Sequence, residues 1–306
     1  MTVPGNSPRV DLKEVLADAQ LAALPQSAIR LLELSRDPAN GPGEFAVPIE
    51  ADPGLTGQVL KFVNSSYFGF AREISSVNSG LKLVGVRTIK NFALWNAIFS
   101  LIPNPKCGPF DLKGLWQDSL RRALFARAVA RLLGLKAADD VFTAALLQDM
   151  AVPVLAKAVP QFYLKLLEAR HEGKNRLSAL ERRVFGWTHG EAAGALARQW
   201  NLPEDLVALV EGHSDLQRWS AASAASRMGL CVALSALLPS TADPIWVEFK
   251  FLEQHCEAIA SQGSPSVAEL LDQVDREYVE FAPVMRVAMP AKSLGDCYHE
   301  LMAPAD

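Results

Sequence analysis

The chain has 306 residues, half of them apolar, with a mean hydropathy of +0.11 and 21% charged side chains. That balance excludes a disordered chain and allows one large or two smaller packed domains. A formal net charge of −4 and a pI near 5.8 exclude nucleic-acid binding by bulk positive charge, leaving only a local basic patch.

The four cysteines, Cys107, Cys231, Cys256 and Cys297, are widely separated and lack CxxC or zinc spacing. Reduced thiols in a cytoplasm are expected. His255-Cys256 and Cys297-Tyr298-His299 each lack a second pair at ligand spacing. The start, MTVPGNSPRV, has no basic region followed by an apolar run, and the apolar run 228–239 is too short to cross a bilayer. No membrane association is expected.

Taken in chain order, the elements read as helices. Asp11 followed by Glu14 predicts a helix start. Ala28, Leu31, Leu32 and Leu34 repeat at helical spacing, and Asp37-Pro38 ends that run. Asp52 before Pro53 predicts a capped helix running to Val63, with NSSYFG as its exit turn. The segment SSVNSGLKLVGVRTIKNFALWNAIF reads as two helices broken near Gly85. Lys82, Arg87 and Lys90 on this pair raise a helix-turn-helix reading, but Val86, Ile89, Phe92, Ala93 and Ile98 make the second helix a core helix.

The Pro/Gly-dense segment 102–111 is the best domain boundary. A long amphipathic helix follows and ends at Gly134, with Arg121, Arg122, Arg127 and Arg131 expected as a solvated face. Next comes AALLQDMAVPVLAKAVP, apolar almost throughout, in which Pro153 should kink or restart the helix. Asp149 inside this run needs a partner or a metal, because an unpaired buried carboxylate is costly. Ser178 with Glu181, and Thr188 with Glu191, both fit a capping box. His189 then sits in a first helical turn, where imidazoles can be exposed. Helices are further expected from Pro203 to Gly212-His213, over 221–238, and twice in the tail. No convincing period-two alternation is present, so the fold class is all-α.

The order LPQSAIRLLELSRDP, IEADPGLTGQVLKFVNSSYFGF, ISSVNSGLKLVGVRTIKNFAL resembles the first half of an HDOD domain. LWQDSLRRALFARAVARLLG, FTAALLQDMAVPVL and THGEAAGALARQWNLPEDLVALVEGHSD resemble the second. The resemblance covers roughly residues 15–240. It implies a 1–14 extension, a helical half over 15–105, an HD-like half over 110–240 and C-terminal helices over 241–306. It further implies kinship with HD-type metal phosphohydrolases and a regulatory role in bacterial signalling.

An HD enzyme holds a divalent metal with a His, an adjacent His-Asp pair and a further Asp. The resemblance places the first His on or near Asp118 and the His-Asp pair on Gln148-Asp149, so only Asp149 matches. His189 and His213 fall where the family often carries histidines, and the plain alternative is a helix-start and a helix-end imidazole. Arg121 or Arg122 could pair with Asp149 and hold helices in register. The set Asp118, Gln148, Asp149, His189 and His213 is thus expected to be a vestigial site with no metal and no cofactor.

The function this implies is non-catalytic regulation through a partner protein or small effector. Asn64, Ser65, Ser66 and Tyr67 are the candidate contact, and the alternative is that they cap their helix. A residual phosphohydrolase acting on a nucleotide or cyclic dinucleotide through Asp118, Asp149 and His189, with His213 as an additional candidate, is the competing reading. DNA binding is a weaker third, and homodimerisation through the C-terminal helices is left open.

Overall fold

The computed structural model describes residues 10–19, 21–219 and 223–303, and every regular element among them is helical. The first six helices are α1 (Leu12–Asp18), α2 (Gln26–Leu34), α3 (Pro42–Glu50), α4 (Pro53–Val63), α5 (Val77–Val84) and α6 (Val86–Leu101). Asp11 caps α1, and Asp52 caps α4 by accepting from Leu55 N at 3.0 Å, with Pro53 in the first turn. Gly85 breaks α5 from α6 at φ +97°, a backbone conformation only glycine adopts without strain. Of the 1–14 extension, residues 1–9 lie outside the described residues.

After a coil over 102–111 come α7 (Leu112–Leu132), α8 (Ala138–Leu147), α9 (Ala151–Ala158), α10 (Pro160–Ala169), α11 (Leu177–Phe185), α12 (His189–Gln199), α13 (Glu204–Glu211) and α14 (Ala224–Ser235). Residues 221–222, the expected start of this last helix, lie outside the described residues. The tail holds α15 (Phe249–Ile259), which sequence periodicity did not separate, then α16 (Val267–Met285) and α17 (Leu294–Met302).

Helix α7 is the axis of the second half. Leu120, Leu124, Phe125 and Val129 are fully buried, and α8, α14 and α16 pack around it. This overturns the expectation of a solvated arginine face. Arg121 and Arg127 are buried, Arg122 is nearly so, and only Arg131 is exposed. A helix covered on three sides has little face left for water, so each buried guanidinium is met by an internal acceptor.

The apolar run 138–158 is long and apolar enough to cross a membrane, yet 83% of its most apolar window is buried inside the fold. It is a core element, and it is broken at Gln148–Met150. Pro153 has no N–H to offer the Asp149 carbonyl, which instead takes a tighter bond from Val152 N at 3.0 Å. The interruption that the proline forces therefore falls on Gln148 and Asp149.

The halves share one core. Helix α6 packs on α8, Thr88 Oγ1 donates to Asp139 at 2.9 Å, and Asn91 donates to the Asp139 carbonyl and to Asp140. Helix α1 packs on α9 and α12, and Trp187 Nε1 donates to the Val10 carbonyl at 2.8 Å.

Candidate functional site

Thr188 and Glu191 form the expected capping box, which starts α12 at His189. Ser178 and Glu181 do not. Helix α11 begins two residues earlier, with Arg176 as its cap, so Ser178 already lies inside the first turn. Glu181 points inward and is fully buried. One of its oxygens accepts from His189 N at 2.7 Å and from His189 Nδ1 at 2.6 Å. The other accepts from the Tyr163 hydroxyl. Sequence reading missed this role because Ser-x-x-Glu fits a cap and a buried acid equally well.

His189 is itself buried, although a first helical turn can leave an imidazole exposed. Its Nε2 faces Asp149 Oδ1 at 3.3 Å and His213 Nε2 at 3.1 Å. His213 closes the triangle, with Nε2 3.7 Å from Asp149 Oδ1. Its Nδ1 lies 2.7 Å from the Val210 carbonyl, an acceptor only, so that nitrogen carries the proton and Nε2 is free. The Glu181 carboxylate fixes His189 Nδ1 as a donor in the same way.

Asp149 also accepts from Arg122 Nη1 through its second oxygen. Burial acts to raise the Asp149 pKa, but the Arg122 charge and the His189 hydrogen bond outweigh it and hold the carboxyl well below the usual range. Burial opposes charge on His189 too. The Glu181 carboxylate, with hydrogen bonds to Asp149 and Glu181, overrides it and raises that imidazole to about 9. Burial and the neighbouring His189 charge push His213 down to about 3. At neutral pH the cluster thus holds Arg122 and His189 positive, Asp149 negative and His213 neutral.

The two remaining expected positions do not join this contact network. Asp118 accepts from Ser240 Oγ at 2.6 Å and Thr241 N at 2.7 Å, tying α7 to the loop after α14. Gln148 is fully buried, and neither amide atom has a hydrogen-bond partner among the described residues.

The residues fit a metal only in part. Two imidazole Nε2 atoms and a carboxylate oxygen converge, a donor set of the right chemistry for one face of a transition-metal ion. Asp118 spends both oxygens on the Ser240–Thr241 loop, and a guanidinium takes the second oxygen of Asp149. A full HD centre is not assembled.

A cavity of about 140 Å³ opens beside this cluster, and Asp118, Arg122, Asp149, His189 and His213 all line it. Arg170 and Arg176 reach it as well, paired with Asp243 and Glu248 respectively.

In the NSSYFG turn, Asn64 is spent internally. Its amide donates to the Leu60 and Ile74 carbonyls at 2.9 and 2.8 Å, and its oxygen accepts from Ile74 N at 2.7 Å. Ser66 is exposed, Ser65 Oγ is buried without a partner among the described residues, and the Tyr67 hydroxyl accepts from Arg131 at 3.1 Å. Lys82, Arg87 and Lys90 do not make one free basic face. Arg87 is engaged by the Lys136 carbonyl and Asp140, and Lys90 is partly buried.

A helical HD-related fold in which Asp149, His189 and His213 converge defines the class. A family model for the HDOD domain matches residues 21–216, and the chain belongs to that family. An HDOD domain protein of unknown function from Geobacter sulfurreducens is similar in structure, with a TM-score of 0.69 and 24% identity over 91% of this chain and 100% of that one. A protein provisionally named a phosphohydrolase, from Shewanella amazonensis SB2B, has a TM-score of 0.66 at 16% identity, over 94% of this chain and 97% of that one. Both likenesses speak for the fold. An uncharacterised protein from Treponema pallidum (strain Nichols) is 27% identical over 224 residues, 71% of this chain. The chain spans 43% of that relative's length.

Proposed function

We propose that the chain is a non-catalytic HDOD regulatory protein of bacterial signal transduction, whose former metal pocket binds a small effector or communicates with a partner protein. The observation that carries this reading is the Arg122–Asp149 ion pair. A guanidinium and the protonated His189 supply, from inside the chain, the positive charge that a metal would bring to Asp149 and Glu181. Asp118 and Gln148 stand where an HD enzyme needs histidines, and neither offers a free imidazole nitrogen. The cavity remains open, and its lining is part polar and part apolar, so a ligand can still enter. The setting this reading assumes is a reducing cytoplasm.

The direct test is hydrolysis of a generic phosphodiester, bis(p-nitrophenyl) phosphate, with Mn²⁺, Fe²⁺ or Zn²⁺ added. The expected rate equals that of Asp149→Asn and of buffer with the same metal. Turnover that disappears in Asp149→Asn overturns the proposal. It would favour a second reading, a metal-dependent phosphohydrolase, which the convergence of Asp149, His189 and His213 supports.

A further inference from the structure

The arginine-bearing face of α7 has the composition of a solvent face, yet it is covered. What covers it is the segment from α16 to the start of α17, which lies wholly beyond the family-matched residues 21–216. Gln117 Nε2 donates to the Ala288 and Met289 carbonyls at 3.1 and 2.8 Å. Arg121 donates to the Lys292 carbonyl. Arg127 pairs with Glu277 at 2.6 Å, and Arg131 reaches the same carboxylate at 3.8 Å. Every hydrogen-bond or ion-pair partner named for these four α7 side chains belongs to the covering segment, except Tyr67 on Arg131.

Tyr67 brings the NSSYFG turn into the same contact. The Phe281 ring of α16 lies 4.2 Å from Tyr67, 5.9 Å from Phe142 and 6.3 Å from Phe62. The Arg127 guanidinium sits among the Tyr67, Phe142 and Phe281 rings at 5.1, 4.7 and 4.8 Å. Helix α16 carries Glu269, Asp272, Asp275, Glu277 and Glu280 against the single base Arg276, and it buries Leu270, Leu271, Val274 and Phe281. It is an acidic amphipathic helix seated on a basic, ring-lined face.

A permanent core favours apolar contacts, because a buried polar group left without a partner is costly. Here Arg121 Nε and Arg127 Nε are buried without partners among the described residues. When the covering segment leaves, those donors and Gln117 gain water, so exposing this face costs less than exposing an apolar one. We propose that this face of α7, together with Tyr67, is a docking face for an acidic amphipathic helix. Helix α16 is its resident occupant, and it is seated reversibly. The NSSYFG turn then serves to receive α16, and it is uncovered when α16 lifts.

Hydrogen–deuterium exchange on the full chain tests this. In the wild type, amides of α16 and of residues 65–69 should exchange together, at least about 100-fold faster than the fully buried stretch of α7. Phe281→Ala should speed both by about 10-fold or more, and leave α12 and α13 unchanged. Glu277→Gln should give the same pattern more weakly, and it carries the test if the first variant does not fold. The proposal is overturned if wild-type α16 exchanges no faster than α7. It is equally overturned if either variant speeds α12 and α13 by the same factor as α16.

Discussion

Replacing Glu181 by Gln tests how the buried cluster holds itself together. The carboxylate accepts three hydrogen bonds, from His189 N, His189 Nδ1 and the Tyr163 hydroxyl, with no exposure to water. Gln keeps the volume but loses the charge, and its amide nitrogen can only donate. One side of the residue then presents a donor to a donor, and the His189 charge loses its nearest counterion. Breaking a buried ion pair by neutralising one partner costs about 3–5 kcal/mol. Against a typical total of about 5–15 kcal/mol, that is a large share.

Two assays read the change. Urea denaturation at neutral pH gives the stability loss, expected within that range. Imidazole ¹⁵N NMR gives the His189 titration, expected to fall from about 9 to below neutrality, because burial then acts with only Asp149 opposing it. A loss under about 1 kcal/mol, or a His189 that still titrates near 9, would refute the reasoning.

Stability should peak near pH 6.5, the ordinary imidazole value, and fall on both sides. The folded pKa of His189 is raised to about 9, so its contribution is complete below 6.5 and lost as pH rises through 9. That of His213 is lowered to about 3, so its contribution is present above 6.5 and lost as pH falls toward 3, with depressed Asp149 adding to the acid-side loss. Urea midpoints that stay flat from pH 6.5 to about 9.5 would count against it. Gln148→Met should leave the melting temperature unchanged or raise it, since it removes two unpartnered buried polar atoms at similar volume, and a clear drop in calorimetry would show hidden partners. Asn64→Ala should cost about 1–2 kcal/mol in denaturant titration by freeing the Ile74 backbone, whereas no loss would mean that the turn is held by other contacts.

Local signals carried much of the fold. Asp52-Pro53, Thr188 with Glu191, and the Gly85 break all appear where short-range chemistry demands them. The interruption at Asp149 follows from a proline four residues on. What the sequence could not show is which polar residues are covered. Arg121, Arg122 and Arg127 have the spacing of a solvated stripe, and it is the Lys292 carbonyl, Asp149 and Glu277, brought in from other segments, that meet them in the fold. Glu181 misled for the same reason, since its partner His189 lies one helix away in the fold. Of the candidate site, Asp149, His189 and His213 were legible through the family resemblance, and they converge. Asp118 and Gln148 were legible only as departures from the motif.

The central claim is that the chain neutralises its own former metal site. Metal content by mass spectrometry, on protein purified without chelator and beside Asp149→Ala, tests it most directly. The account predicts far less than one equivalent of any transition metal in both proteins. About one equivalent in the native chain, lost in Asp149→Ala, would contradict it.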